Sequence, residues 1–305
     1  MSSSAYLGTS SFAATVLRIL ASSAHRPSLV IAPPDSRRGR GRRPAPPPAA
    51  EAAAELGIEL LQAADVNAPD VRERIAAAGP NAAVCAFGQL IKEPLLSEVP
   101  MLNVHPSLLP RWRGAAPIER AIMAGDERTG VSVMLLSAGL DSGPVGLQEE
   151  LRVGEGEDFG ALSGRLAVLG GRLLVEALDR QDSGELELHD QDEAGATYAE
   201  KVEPAERLLD PALPAVELAR RVRGLTPHIG AFLEGEDGER LGVRRARALE
   251  QGPEAGRLEV EDAALLLGTA DGALEITEVQ PPGGRPMSAA DFLRGHRPPA
   301  RARGG

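Results

Sequence analysis

Residues 82–105 read AAVCAFGQLIKEPLLSEVPMLNVH, and the two ends of this stretch decide the fold. AAVCAFG (82–88) is an unbroken apolar run of strand length, the pattern of a strand covered on both faces in a parallel sheet. MLNVH (101–105) is the next strand, and Pro106 biases His105 toward extended geometry and stops the strand there. Side chains two apart on a strand share a face, so Asn103 and His105 project together. In open α/β sheets ligands lie in the crevice beyond the carboxyl ends of the strands. Gly88-Gln89-Leu90 and His105 both arrive at that edge.

Upstream, the same architecture begins at once. AYLG is a short strand running into the Gly8-Thr9-Ser10 turn, and Phe12, Val16, Leu17 and Leu20 then recur at helical spacing. SLVIA (28–32) is a second buried strand, so the opening predicts a parallel sheet. The turn carries one glycine where G-x-G-x-x-G would need three, and no nucleotide cofactor is expected. EAAAELG, IELLQ and DVRERIAAAG continue the alternation as helix, strand and helix. Between the second strand and the first of these helices lies PPDSRRGRGRRPAPPPAAE. Arg37, Arg38, Arg40, Arg42 and Arg43 stand there among glycines and prolines, where no regular element is expected. Two readings stay open: a solvated loop inflated by Arg-rich composition, or an arm that grips phosphates.

Downstream, residues 103–145 read NVHPSLLPRWRGAAPIERAIMAGDERTGVSVMLLSAGLDSGPV. SLLPRWRG is a loop, Pro117 opens a helix that Gly125 stops, and VSVMLL (131–136) is another buried strand. An Asp between Gly139 and Gly143 is a turn residue by ordinary statistics, and a histidine nearby would make it a catalyst. LQEELRV alternates like an edge or antiparallel strand. Leu162, Leu166, Leu169, Leu173 and Leu178 mark a long amphipathic helix ending near Asp182. From about 190 the pattern changes to a polar linker, a short helix (PAVELARRVRGL) and several short strands with Asp-Gly turns at 237–238 and 271–272. The expected architecture is therefore α/β. A Rossmann-like domain with a mostly parallel sheet occupies 1–189, a linker 190–204, and a smaller, barrel-like β domain 205–305.

Composition narrows the function. The formal charge of -11 over 305 residues argues against a protein that coats nucleic acid non-specifically. Lys occurs only at 92 and 201, so nearly all positive charge is Arg, which lowers the weight of any single one. Cys85 is the sole cysteine, and a disulfide framework and a cysteine-based zinc site are excluded within one chain. No apolar segment approaches the ~18 residues of a membrane span. The N-terminus has no secretory character, and a cytoplasmic protein without metal or membrane is expected.

Asn occurs only at 67, 81 and 103, so an Asn two residues before a His stands out. An amide can donate to a developing oxyanion, an imidazole can move a proton near neutral pH, and a carboxylate can orient or charge the imidazole. Asn103, His105 and Asp141 thus form a set suited to acyl transfer. In NVHPSLLPRWRGAAPIERAI and GVSVMLLSAGLDSG the chain resembles the formyltetrahydrofolate-dependent transformylase family. LGTSSFAATVL, AFGQLI, DEAGATYAEKV, RRVRGLTPHIGAF and EVQPPGGRPMSAADFLRGHRP extend the resemblance over nearly the whole chain, toward members that act on tRNA. It implies that 10-formyltetrahydrofolate donates a formyl group to the α-amine of methionine on initiator Met-tRNA. It implies Asn103, His105 and Asp141 as the catalytic set. Ser107, Leu108, Leu109 and Pro110, with Phe87, Gly88, Gln89 and Leu90, are implied as folate contacts. Arg37, Arg38, Arg40, Arg42 and Arg43 are implied as tRNA contacts. The C-terminal domain would be OB-like, and the protein a monomer. Pro106 and the absence of Trp-Pro from TPHIGAF depart from the tRNA-acting pattern. The alternatives are a transformylase of a small amine (a purine precursor or amino sugar), a formyltetrahydrofolate hydrolase, and a binding module without turnover.

Overall fold

The computed structural model describes residues 4–38 and 43–304, and the chain divides into two compact units. The first comprises 1–114, 128–152 and 163–198, the second 115–127, 153–162 and 199–305.

The first unit is built on a seven-stranded sheet. In spatial order its strands are Val145–Arg152, Arg128–Leu135, Met101–His105, Asn81–Cys85, Ser4–Gly8, Leu29–Ala32 and Glu59–Gln62. The last five run parallel to one another, while Arg128–Leu135 and Val145–Arg152 pair antiparallel at one edge. The central strands are buried along almost their whole length, as the continuous apolar runs required. On one face Leu7, Ile31, Val66, Ile75, Val84 and Leu95 share a core. Behind the strand Met101–His105 stands the helix Phe159–Ser183, and Gly170 allows its close approach to that strand as Gly171 does to the helix Ser11–Ala21. A Cβ on Gly170 would lie 2.7 Å from Val104 Cγ1, and one on Gly171 2.6 Å from Ile19 Cδ1. This backing fixes the strand that carries Asn103 and His105.

One expectation is corrected. Ser36–Arg38 and Arg43–Ala45 pair as a two-stranded antiparallel ribbon, where composition argued against any regular element. A ribbon this short needs few ladder bonds, and Pro44, which has no N–H, is tolerated where no further strand must pair.

Cys85 ends its strand fully buried, and burial pushes its thiol up to about 12 from an ordinary 9.0. Thiol reagents at pH ~8 are therefore expected to leave the native protein untouched and to label one site on unfolding. The native thiol holds its proton above its unfolded value, so this group's contribution is intact below pH ~9. It is lost as pH rises toward about 12.

In the second unit, Ala231–Glu234, Arg240–Leu249, Gly272–Gln280, Ala264–Thr269 and Leu258–Glu261 form an antiparallel sheet in that order. Leu265 and Leu267 alternate inward with Leu274 and Ile276, against Leu218, Val222 and Leu225 of the helix Ala215–Leu225. The tail then ties the two edge strands together. Leu258 N donates to Ala300 O, Ala302 N to Gly256 O, and Arg303 N to Glu234 O, at 2.8–2.9 Å. The sheet is thereby closed into the expected barrel-like form.

Candidate active site

From Ser4–Gly8 the chain moves outward through Leu29–Ala32 to Glu59–Gln62, then returns to the other side of Ser4–Gly8 as Asn81–Cys85. The reversal opens a crevice beyond the strand ends, between the Gly8-Thr9-Ser10 turn and Ala86–Leu90. Gly88 N donates to Thr9 Oγ1 at 3.4 Å across it. His105 ends the next strand along.

Asn103 and His105 are both buried, at 8 % and 4 % exposure. Among the described residues no group takes up the Asn103 side-chain amide. His105 Nε2 lies 2.9 Å from the Trp112 carbonyl oxygen. A carbonyl only accepts, so Nε2 carries the proton and Nδ1 is the nitrogen left for chemistry. That nitrogen lies 3.7 Å from Asp141 Oδ2. The same Oδ2 accepts from the Gly114 backbone N–H at 2.9 Å, which orients the carboxylate. Asp141 has φ 45°, in the left-handed region, inside a turn whose Gly143 is pressed on Leu135. A Cβ there would lie 1.9 Å from the Leu135 carbonyl oxygen. The glycine next to Ser142 is therefore a steric requirement of the turn that aims Asp141.

The loop after His105 is held from below. Ser132 Oγ donates to Ser107 O (2.7 Å) and accepts from Leu109 N (3.0 Å), while Gln148 Nε2 donates to Leu109 O (2.7 Å). Ser107 is wholly buried and its hydroxyl donates to Arg111 O at 2.6 Å, so its side chain shapes the loop from within. Leu109 is buried too, which leaves Pro106, Leu108 and Pro110 half-buried. On the other strand end Phe87 is in the core. Gln89 spends its side chain on Val66 N (2.8 Å) and Ala63 O (2.7 Å), and Gly88 and Leu90 are exposed. Leu90 at 70 % and Leu140 at 60 % are large apolar side chains open to solvent near the strand ends.

Arg40 and Arg42 lie outside the described residues, and Arg37, Arg38 and Arg43 are described here by backbone alone.

The sequence did not mark Arg113, Gln191 or Glu193. Arg113, 2 % exposed, donates Nε to Gln191 Oε1 and grips Glu193 with both terminal nitrogens at 2.8–2.9 Å. Its guanidinium holds the Glu193 carboxyl below the usual carboxylate range. Trp112, in the loop SLLPRWRG, supplies the carbonyl that is the partner of His105.

Comparison with known proteins follows the same outline. A formyl transferase family model matches residues 3–178, and a formyl transferase C-terminal domain model matches 201–297. The methionyl-tRNA formyltransferase of Methylococcus capsulatus is 42% identical over 297 residues, covering 95% of this chain and 96% of that protein. That of Dinoroseobacter shibae is 42% identical over 299 residues, covering 97% and 98%. Among solved structures, HypX from Aquifex aeolicus in complex with tetrahydrofolic acid aligns with a TM-score of 0.64 at 19% identity. It covers 96% of this chain and 47% of HypX, a likeness of fold.

Proposed function

The chain belongs to the formyl transferase family, and on that premise we propose that it transfers a formyl group from 10-formyltetrahydrofolate to the α-amine of methionine on initiator Met-tRNA. The observation that carries the reading is the His105 Nδ1–Asp141 Oδ2 pairing at the strand end, with the buried Asn103 two residues before His105 on the same face of the strand. The relatives matched along nearly their whole length support tRNA as the acceptor.

The residues present fit a folate. Leu90 and Leu140 offer apolar surface to a conjugated ring, and Asn103 offers a donor inside. Bound there, 10-formyltetrahydrofolate supplies the activated formyl carbon. An attacking α-amine has a free pKa near ~8 and needs only its last proton removed, so the main demand falls on negative charge developing at the formyl oxygen. The Asn103 amide donates to that oxygen. As the formyl carbon bonds to the amine and its bond to the folate nitrogen breaks, the proton lost by the amine would pass to that leaving nitrogen through His105 Nδ1, because Nε2 has spent its N–H on Trp112 O. Asp141 faces Nδ1 and steadies the ring when it is positively charged. The loop residues Ser107, Leu108, Leu109 and Pro110 and the segment Phe87, Gly88, Gln89 and Leu90 bound the folate side in this reading. Residues 1–189 are assigned to catalysis and 205–305 to holding the tRNA.

The test is to incubate the protein with 10-formyltetrahydrofolate and Met-tRNA, glycinamide ribonucleotide or buffer alone. N-formylmethionyl-tRNA is expected in the first arm only. Turnover confined to the second or third arm would replace the reading by a small-amine transformylase or a hydrolase. The Arg37–Arg43 segment is read as the arm that meets the tRNA acceptor stem. Deleting residues 37–43 is expected to raise KM for Met-tRNA by roughly 10–100-fold, the worth of one or two charge-assisted phosphate contacts. KM for the formyl donor should stay put. An equal rise in both would show that the deletion damages the folate side and that the arm has no tRNA role.

A further inference from the structure

The stretch from Gln191 to Thr197 follows the long helix Phe159–Ser183, and its side chains return to the reaction centre at two points. At the first, Gln191 Nε2 donates to the carbonyl oxygens of Asp141 (2.9 Å) and Gly143 (2.7 Å). These two bonds straddle Ser142 and pin the turn that presents the Asp141 carboxylate. Gln191 is aimed in turn by Arg113, whose Nε donates to its Oε1 at 2.9 Å while the fork is closed by Glu193. A guanidinium buried to this degree is costly unless its donors are met. Arg113, Gln191 and Glu193 therefore stand or fall together.

At the second point Thr197 holds the peptide that faces His105. Its Oγ1 accepts from the Trp112 backbone N–H (2.9 Å) and its carbonyl from the Arg113 N–H (2.9 Å). Its own N–H donates to Pro110 O at 3.2 Å. Trp112 has φ 63°, a conformation that needs such support in a residue with a side chain. The Trp112 carbonyl is the group that fixes which His105 nitrogen carries the proton.

We propose that Arg113, Gln191, Glu193 and Thr197 are positioning residues for the formyl transfer, a strap that sets the Asp141 carboxylate and the His105 tautomer together. The assignment rests on the function argued above. It differs from mere structural support in what it predicts for kcat.

Gln191→Glu in the full-length protein separates the two. The substituted side chain still accepts from Arg113, but its carboxylate cannot donate to the Asp141 and Gly143 carbonyls and repels them, so the turn must shift. A strap that only stabilises the fold through Arg113 predicts unchanged kcat. A strap that positions Asp141 predicts kcat lower by about 10–100-fold, since misplacement near 1 Å can cost about 10². KM for Met-tRNA and for 10-formyltetrahydrofolate should stay within about twofold. Thr197 supplies the second measurement, which also decides the matter if Gln191→Glu does not fold. Trp112 is the only tryptophan, so intrinsic fluorescence reads its surroundings directly. Thr197→Val, which lacks the hydroxyl, should shift that emission and lower kcat, and Thr197→Ser should restore both. Retained kcat in a folded Gln191→Glu protein would overturn the proposal. So would identical emission and kcat in the Val and Ser variants. A wild-type protein that does not formylate Met-tRNA would count against the assigned function instead, with the Trp112 emission shift still reporting the strap.

Discussion

His105→Ala should lower kcat for formylation of Met-tRNA by about 10²–10⁴-fold, the usual worth of a positioned acid–base group. The substitution removes the ring nitrogen that faces Asp141 at 3.7 Å and leaves the Trp112 carbonyl without its donor. Activity and stability should therefore both fall. A pH–rate profile gives the sharper reading, because a limb set by the imidazole must vanish in the variant. A profile of unchanged shape would reject a titrating role for His105. Adding Asp141→Asn to His105→Ala should cost far less than the product of the two single losses, as expected of groups that act as a unit.

Asn103→Ala should cost about 10²–10³ in kcat with little change in either KM, the effect of deleting one donor to a developing oxyanion. Its stability effect should differ from that of His105→Ala. Among the described residues the Asn103 amide has no hydrogen-bond partner, so its removal orphans nothing. Unlike Gln181 Oε1, Arg221 Nε and Thr269 Oγ1, the amide keeps contact with solvent, so alanine relieves little burial cost. The midpoint of thermal unfolding should stay nearly level while turnover collapses. A variant that lost stability and kept its rate would place the amide in the scaffold and out of the reaction.

The contrast between these two residues and the strap shows what a sequence makes legible here. Asn103 and His105 lie two apart on one strand, and the same alternation that builds the sheet tells which way they point. Asp141 was legible through its flanking glycines, and Gly143 is indeed required by the Leu135 carbonyl beneath it. The parallel order of the strands followed from unbroken apolar runs, which need cover on both faces. Arg113 was hidden by composition, being one arginine among many in a chain where all but two of the 33 basic residues are Arg. Gln191 and Thr197 sit in a polar stretch without periodicity, and their partners are 48–85 residues away. Long-range bonds to backbone carbonyls leave no local trace in the order of residue types. For the same reason the ribbon of Ser36–Arg38 with Arg43–Ala45 was invisible, since its few ladder bonds outweigh only weakly contrary local preferences.

The interleaving of the two compact units bears on the order in which the protein can be made. Residues 115–127 and 153–162 leave the first unit's share of the chain, and 163–198 come back to it. A nascent chain emerging from the ribosome thus cannot finish one body before starting the other. The pieces around His105 are translated long before Gln191 and Thr197 arrive to hold them. Competence for chemistry is delayed until most of the polypeptide exists, so an interrupted synthesis yields fragments without a finished reaction centre.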